Sequence, residues 1–284
     1  MTALLKIFFL FTLLQASPLA RTLQTDVEYL SSEVCQGRAT GTGGCTEATR
    51  YLLLRLGRTG LDAKMQSFGC DKGVGRNVYV ESSVKGARGT VVVTASYDGL
   101  GTLDAVVYPG ADSNASGVAA LLSLADSLSA SPLKRLDVIL VCLDARNCLS
   151  AGASAFVRDV LKGRDVRMVV DLDIVGSSLA PYKPYQKDYL LALGGKPYRK
   201  TLDELGSRHG LTLYYDYYGS RDFTDLFYSR MGDRPVFLAE GYPLVMFTSG
   251  ITLHTNKPSD TASTLDYAQM GRRVELVLDY LRTL

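Results

Sequence analysis

Side chains that could bind a metal ion or transfer a proton follow several apolar runs of this 284-residue chain. They lie in five short segments: Ser96-Tyr97-Asp98, Asp112-Ser113-Asn114, Asp144-Ala145-Arg146-Asn147, Asp171-Leu172-Asp173 and Leu253-His254-Thr255. Carboxylate and imidazole groups are ligands for zinc, and carboxylates also serve as general bases in hydrolysis. These residues can act together only where the fold brings their segments to one place.

The elements that carry these segments alternate in type along the chain. Apolar and β-branched runs predict strands at 77–80, 90–95, 136–143, 168–174, 189–193 and 243–247. Helical periodicity predicts helices at 25–34, 46–56, 115–129, 151–161, 198–206 and 265–281. Such alternation is typical of an α/β fold, with helices on both faces of a largely parallel sheet. Ligands of such sheets bind beyond the carboxyl ends of the strands, where the polar segments lie.

Composition and charge narrow the class of protein. Hydrophobic residues make up 46% of the chain, and the formal net charge is +2. A charge so close to zero argues against nucleic acid as a partner. Beyond residue 20 no apolar stretch is long enough to span a bilayer, so we expect no integral membrane segment.

Residues 1–20 have the pattern of a secretory signal peptide. Lys6 precedes the apolar run 7–14, and small residues such as Ala16 and Ala20 follow. The apolar run is too short for a transmembrane helix. We therefore expect a signal peptide at 1–20, a single domain at 21–284, and export of the mature protein to the periplasm or the extracellular space.

The chain contains five cysteines. In an exported protein some of them could pair, and an odd number leaves at least one unpaired within the chain. Cys35 and Cys45 flank a glycine-rich loop and could form one disulfide, whereas Cys142 lies in an apolar strand pattern. No C-x-x-C is present, so the cysteine spacing does not predict a zinc site.

The order of the polar segments resembles that of the di-zinc aminopeptidase family, which includes bacterial leucyl aminopeptidases and is related to glutaminyl cyclases. The most specific piece is 109–117, PGADSNASG, which is similar to the family's P-G-A-D-D-N-A-S-G. The segment around His254 is similar to the family's H-T-x-x-D-T, and the segments 37–41 and 233–243 fit the same pattern. The resemblance runs from residue 37 to the C-terminus. It implies a three-layer α/β/α sandwich with a mixed, largely parallel sheet, and a site that removes N-terminal amino acids from peptides.

The resemblance also implies which residues stand at the metal centre. In the family two zinc ions about 4 Å apart share a bridging carboxylate, and a separate Glu acts as the general base. The bridging position corresponds to Asp112, and Asp98 corresponds to a residue that orients a ligand. The further ligands of one metal correspond to Asp173 and Ser96, and those of the other metal correspond to His254 and Asn147. The general base corresponds to Arg146.

Several of these positions depart from the family's chemistry. Ser96 stands in place of a His ligand, Asn147 in place of a Glu ligand, and Arg146 in place of the base. Each zinc would keep two protein ligands where a catalytic zinc normally has three, and a guanidinium cannot accept a proton. No Glu lies between Glu81 and Glu204, so a shifted alignment cannot restore the acids. We therefore expect zinc binding to be weak or absent.

These departures favour a catalytically impaired peptidase homologue, a pseudopeptidase that binds or acts on a peptide or protein ligand outside the cytoplasm. The alternative is an active metal-dependent aminopeptidase with an altered, mononuclear site formed by Asp112, Asp173 and His254. A third hypothesis is a structural subunit in which only the surface matters. The three ligand residues could also be ordinary turn or loop residues. The numerous tyrosines, 17 in all, indicate either simple packing or an aromatic rim around a binding groove.

Overall fold

A central mixed sheet organises the molecule, which is represented by a computed structural model that describes residues 17–284. Its strands are β1 (Lys64–Cys70), β2 (Gly73–Ser82), β3 (Thr90–Ser96), β6 (Asp137–Leu143), β7 (Val166–Leu172), β8 (Tyr189–Leu193), β9 (Thr212–Tyr214) and β10 (Leu244–Thr248). Two further strands, β4 (Gly101–Leu103) and β5 (Val106–Tyr108), form a separate ribbon.

The strand order across the sheet is β1-β2-β6-β3-β7-β10-β8-β9. The four central strands β6, β3, β7 and β10 run parallel to one another, whereas β2 lies antiparallel to β6 and β8 lies antiparallel to β10. The predicted α/β class and the mixed, largely parallel sheet are therefore confirmed. Because the central strands are parallel, their carboxyl ends meet at one edge of the sheet.

Helices cover both faces of this sheet. They are α1 (Pro18–Leu30), α2 (Gly43–Gly57), α3 (Gly117–Ala130), α4 (Ala151–Phe156), α5 (Arg199–Arg208), α6 (Arg221–Asp225), α7 (Arg234–Ala239) and α8 (Tyr267–Thr283). One large hydrophobic core lies between the sheet and α1, α2, α3, α5 and α8, and a second core lies on the side of α4 and α7.

Strand β6 shows why the central strands are apolar throughout. Val138 and Leu140 belong to the first core, whereas Ile139 and Val141 belong to the second. Successive side chains of a strand point to opposite faces, so a strand covered on both faces needs apolar residues at every position. This continuous apolar pattern is the reason why the central strands could be predicted from the sequence.

The edge of the sheet was harder to predict. Strand β1 carries polar residues such as Lys64, Gln66 and Ser67, and most of its side chains are exposed or half-exposed. Because so little of β1 is buried, it lacks the alternation of apolar and polar residues by which a strand is recognised in a sequence. Short elements such as β9 and α6 also escaped prediction, whereas the predicted helix at 25–34 lies at 18–30.

The N-terminal boundary of the domain lies close to the predicted signal segment. Helix α1 begins at Pro18, the side chain of Ser17 accepts a hydrogen bond from the backbone N–H of Ala20, and Ala20 is buried. Residues 18–20 are thus part of the folded domain. The rest of the predicted signal peptide, 1–16, lies outside the described residues. Among the helices that the structure does describe, none has the length and apolar character needed to cross a membrane.

Buried Arg38 ties together the loops beneath the sheet edge. Its guanidinium donates hydrogen bonds to the carbonyl oxygens of Tyr97 (2.8 Å), Pro109 (2.7 Å), Gly110 (2.9 Å) and Leu30. Carbonyl groups buried without a donor are costly, and one fully buried guanidinium satisfies four of them here. This arrangement fixes the segment that leads into α3.

Candidate active site

A cavity of about 250 Å³ lies at the carboxyl ends of the central strands. Its walls come from the loops that follow β3, β6, β7 and β10, which contribute Asp98, Arg146, Asp173 and Ile251, and Asn114 lines it from the segment before α3. Polar segments that are far apart in the sequence therefore meet at one place, as the parallel strand order predicts.

Arg146 occupies the centre of this site. Its guanidinium donates two hydrogen bonds to the carboxylate of Asp173, Nη1 to Oδ1 at 2.7 Å and Nη2 to Oδ2 at 2.9 Å. This bidentate geometry is the strongest that an arginine and a carboxylate form. Gly232 makes room for it, since a Cβ there would lie about 3 Å from the guanidinium.

A second arginine, Arg234, approaches the same carboxylate from α7. Its Nη1 donates to Oδ2 of Asp173 and to Oδ2 of Asp171, both at 2.7 Å, and Oδ1 of Asp171 accepts from the hydroxyl of Thr94 at 2.8 Å. Burial raises the pKa of Asp173, but Arg146 and Arg234 outweigh that effect and hold this pKa well below its usual range. Two arginines and two aspartates thus form a closed, charge-balanced network.

Asp98 holds the loop that carries Arg146. Its carboxylate accepts hydrogen bonds from the backbone N–H groups of Arg146 and Asn147, both at 3.1 Å, and from the side-chain amide of Asn147 at 3.2 Å. Burial, and then the nearby Asp144 and Asp233, raise the pKa of Asp98 to about 7. The residue predicted to orient a ligand at position 96 instead positions the loop after β6.

Ser96, at the position of a family ligand, points to a different partner. Its hydroxyl donates to Oδ2 of Asp233 at 2.6 Å, and the other oxygen of that buried carboxylate has no partner. Burial raises the pKa of Asp233. The serine therefore serves a buried hydrogen bond and does not line the cavity.

Asp112 does not line the cavity, contrary to its predicted role as the bridging carboxylate. It is buried behind the wall, where its Oδ1 accepts from the backbone N–H of Gly176 at 2.9 Å, while Ser113 is the residue of this segment that faces the cavity. Asp260 accepts from the backbone N–H groups of Asp112 (2.8 Å) and Ser113 (3.0 Å) and thereby sets this orientation. Burial, and then Asp260, raise the pKa of Asp112 to about 6.

His254 also lies away from the cavity wall. Its Nδ1 is 2.9 Å from the hydroxyl of Ser259 in the loop after β10. The neighbouring Thr255 and Asn256 line the cavity instead. Of the residues predicted for the metal centre, the structure thus brings together Asp98, Arg146, Asn147 and Asp173 and leaves Asp112, His254 and Ser96 outside.

An apolar wall faces the polar residues across the cavity. It contains Tyr217, Phe227, Met231, Met246 and Ile251. The Tyr217 and Phe227 rings stack at 4.6 Å between centroids, and outside the cavity Tyr182 stacks on Tyr214 at 3.8 Å. Abundant tyrosine was the only sequence signal for this wall.

Comparisons with known proteins identify the family of this chain. The model of peptidase family M28 matches residues 77–281. That match covers more than half of the chain. The protein belongs to peptidase family M28.

Solved structures with the same fold include members with different activities. A zinc aminopeptidase from Bacillus subtilis is 14% identical, covers 95% of this chain with 96% of its own, and superposes with a TM-score of 0.74. LapB from Legionella pneumophila is 20% identical, with 92% and 71% coverage and a TM-score of 0.75. Porphyromonas gingivalis glutaminyl cyclase is 16% identical, with 93% and 98% coverage and a TM-score of 0.71. No curated protein sequence matches this chain.

The site of this family M28 member does not fit a pair of zinc ions. Both oxygens of Asp173 accept hydrogen bonds from guanidinium groups, so a metal dication at this carboxylate would meet two positive charges. Within residues 17–284, ligand atoms of three His, Cys, Asp or Glu residues come within 4.8 Å of one another only at Cys70, Asp71 and Cys148, a group that contains none of the three remnant ligands. The remnant ligands Asp112, Asp173 and His254 thus do not converge as a mononuclear site requires.

Sequence reasoning assigned no role at the site to Arg234, Asp171 or Ser113. Asp171 stands two residues before Asp173, and Arg234 stands in the segment 233–243 that fitted the family pattern. Nothing local indicates that Arg234 would reach β7, because the contact spans 61 residues. A second buried cation near Asp173 was therefore not predictable from spacing.

Proposed function

We propose that this family M28 protein does not hydrolyse peptides and that its cavity binds the N-terminal end of a peptide or protein ligand outside the cytoplasm. The observation that carries the proposal is the bidentate Arg146–Asp173 pair, closed from the other side by Arg234. A guanidinium stands where hydrolysis needs a base, and it neutralises the carboxylate that a metal would need.

No carboxylate at the cavity is free to activate water. The low pKa of Asp173 makes it a poor proton acceptor at neutral pH, because the two arginines stabilise its charged form. Asp98 has a pKa near 7, but both of its oxygens already accept hydrogen bonds from the loop after β6. Asp112 lies behind the wall.

The shape and chemistry of the cavity suit a peptide end. One side is lined by polar residues that include Ser113, Asn147 and Asn256, and the other side is the apolar wall. Drug-sized ligands occupy pockets of about 300 Å³ or more, so this smaller space suits a terminal residue and not a long segment. The likeness to an aminopeptidase supports a ligand with a free amino terminus.

Export is supported by the pattern of residues 1–20 alone. A peptide-binding protein outside the cytoplasm would meet peptides released by digestion of other proteins, and affinity without cleavage suits a capture role.

The test measures hydrolysis and binding on one preparation. Purified protein is stripped with chelator, dialysed against micromolar zinc, analysed for zinc content, and assayed with N-terminal amino-acid amides and short peptides. We expect zinc far below one ion per chain, no release of amino acids, and saturable peptide binding by calorimetry. Zinc-dependent aminopeptidase activity that disappears on chelation would overturn the proposal in favour of the mononuclear hydrolase.

A matched pair of variants locates the binding site. Ile251→Asp places a charge on the apolar wall and should weaken binding about tenfold or more, since one lost apolar contact contributes about 1.5 kcal/mol. Met65→Asp changes a similarly exposed apolar side chain on the edge strand β1, which contributes no residue to the cavity lining, and should leave the affinity unchanged. Equal effects of the two variants would place the peptide elsewhere.

A further inference from the structure

Two cysteine thiols meet at the edge of the sheet. Cys70 ends β1 and Cys148 lies in the loop after β6, and their Sγ atoms lie within 4.8 Å of each other. Both pack with Phe68, Ala145 and Ala155 in a small hydrophobic cluster that is separate from the two large cores. Side-chain rotation can bring two sulfurs at this separation into bonding distance, which is about 2 Å.

The other three cysteines have no such partner among the described residues. Cys35 and Cys142 are fully buried, and Cys45 lies 3.7 Å from the carboxylate of Asp144. The pairing of Cys35 with Cys45 suggested by their spacing is absent, since all five cysteines are free thiols here. Cys70 is the half-exposed member of the five, so it offers a reagent access to the buried thiol beside it.

We propose that Cys70 and Cys148 form a reversible disulfide that staples the β1–β2 hairpin to the loop carrying Arg146 and Asn147. This modification site is independent of the proposed peptide binding. The partner it requires is a disulfide-containing oxidant, such as oxidised glutathione or a thiol oxidoreductase.

The chemistry is a pair of thiol–disulfide exchanges. The thiolate of Cys70 attacks one sulfur of the oxidant, forms a mixed disulfide and releases one thiolate. The thiolate of Cys148 then attacks the Cys70 sulfur, forms the internal bond and releases the second thiolate. The two cysteine protons pass to the two leaving thiolates, so the protein loses two electrons and two protons and the oxidant is reduced to two thiols.

The loop joined by this bond needs an external restraint. Ala145, Leu149 and Ser150 all have positive φ, at 61°, 54° and 54°, a region that residues with a side chain rarely adopt. The same loop places Arg146 on Asp173 and Asn147 on Asp98. A covalent link at Cys148 therefore restrains the cavity wall, and reduction releases it.

A zinc site is the competing use of these thiols. The carboxylate of Asp71 also lies within 4.8 Å of both sulfurs, and thiolates bind zinc well. A structural zinc site has four protein ligands, whereas the cluster within residues 17–284 offers three, one of them on an exposed hairpin turn. The geometry therefore favours the disulfide, and zinc becomes an outcome of the test.

The experiment oxidises the reduced full-length chain in mixtures of oxidised and reduced glutathione. Free thiols are counted by maleimide labelling and mass spectrometry, and linked peptides are identified after digestion. We expect the count to fall from five to three, because two sulfurs are consumed, with Cys70 joined to Cys148. The oxidised form should melt roughly 10 °C higher, since the bond closes a long loop, and amide exchange at 144–150 should slow.

Variants separate the pair from general effects of cysteine loss. Cys70→Ser, at the half-exposed position, should abolish both the link and the shift in melting temperature, and Cys142→Ala should keep both. Five reactive thiols at equilibrium in oxidised glutathione would overturn the proposal, as would a link between other cysteines. So would one zinc ion that stays with the reduced chain and is lost in Cys70→Ser.

Discussion

At the scale of single residues, a network of ion pairs between two arginines and two aspartates dominates the site. Two guanidinium groups meet the carboxylates of Asp171 and Asp173, so positive charge that zinc would supply comes from the chain itself. Arginine stays charged at every accessible pH and cannot be removed by chelation. The carboxylate of Asp173 thus remains ionised in a buried place, with both of its oxygens bound by arginine.

Arg234→Met tests how far this network supports the fold. The substitution keeps the side-chain volume but leaves buried Asp171 without its cation, and breaking a buried pair typically costs about 3–5 kcal/mol. We expect a loss of that order in the free energy of unfolding, measured by urea denaturation. Arg230→Met removes an exposed pair with Asp225 nearby and should leave stability nearly unchanged. Equal stabilities of the two variants would show that Arg234 is dispensable.

At the scale of elements, the segment before α3 connects this helix to the end of β7 through one side chain. The side-chain amide of Asn114 donates to the carbonyl oxygen of Leu172 at 2.9 Å, and its oxygen accepts from the N–H groups of Ile174 (2.8 Å) and Gly117 (3.2 Å). One side chain thus joins the start of α3 to the end of β7. Such close approach leaves no room for a larger residue at position 117.

Gly117→Ala tests this packing. The added Cβ would lie 2.2 Å from the carbonyl oxygen of Leu172 and 2.5 Å from the Asn114 side chain, so α3 must shift from the end of β7. We expect a destabilisation of about 2 kcal/mol by thermal denaturation, as for other overpacked core sites. Gly57→Ala, whose Cβ would meet no atom within 4 Å, should be neutral or stabilising by up to about 1 kcal/mol. An unchanged stability of the Gly117→Ala variant would mean that α3 can move away from the end of β7 at little cost.

At the scale of the whole molecule, two hydrophobic cores hold the fold on either side of one sheet. Strands β3 and β6 contribute to both cores, and the network of Arg146, Arg234 and the two aspartates closes the carboxyl edge. Because the chain supplies these charges, stability should not depend on a bound ion. A protein whose fold is completed by metal loses that binding energy when the metal is removed.

Chelation provides the corresponding prediction. We expect the melting temperature of protein purified without chelator to change by less than about 1 °C on addition of EDTA, in calorimetry at neutral pH. Added zinc in slight excess should likewise leave it unchanged. A fall of several degrees with EDTA, restored by zinc, would show that a structural or catalytic ion is bound.

Much of this architecture was present in the sequence. Covered strands such as 138–141 require apolar residues at every position, so their type followed from the sequence, and their alternation with helices predicted a largely parallel sheet. The placement of Asp98, Asn147 and Asp173 at one edge followed as well, because each lies at the end of a predicted central strand or in the loop beyond it.

Only the tertiary structure decided which side chains face the cavity. Asp112 and Ser113 are neighbours in one turn, and contacts with Asp260, more than 140 residues away, point the serine inward and the acid away. Likewise the fold brings Arg234, at the start of α7, to Asp173 just beyond the end of β7. Periodicity reports which face of an element is buried, whereas the direction of a side chain in a turn is set by distant partners that local sequence does not specify.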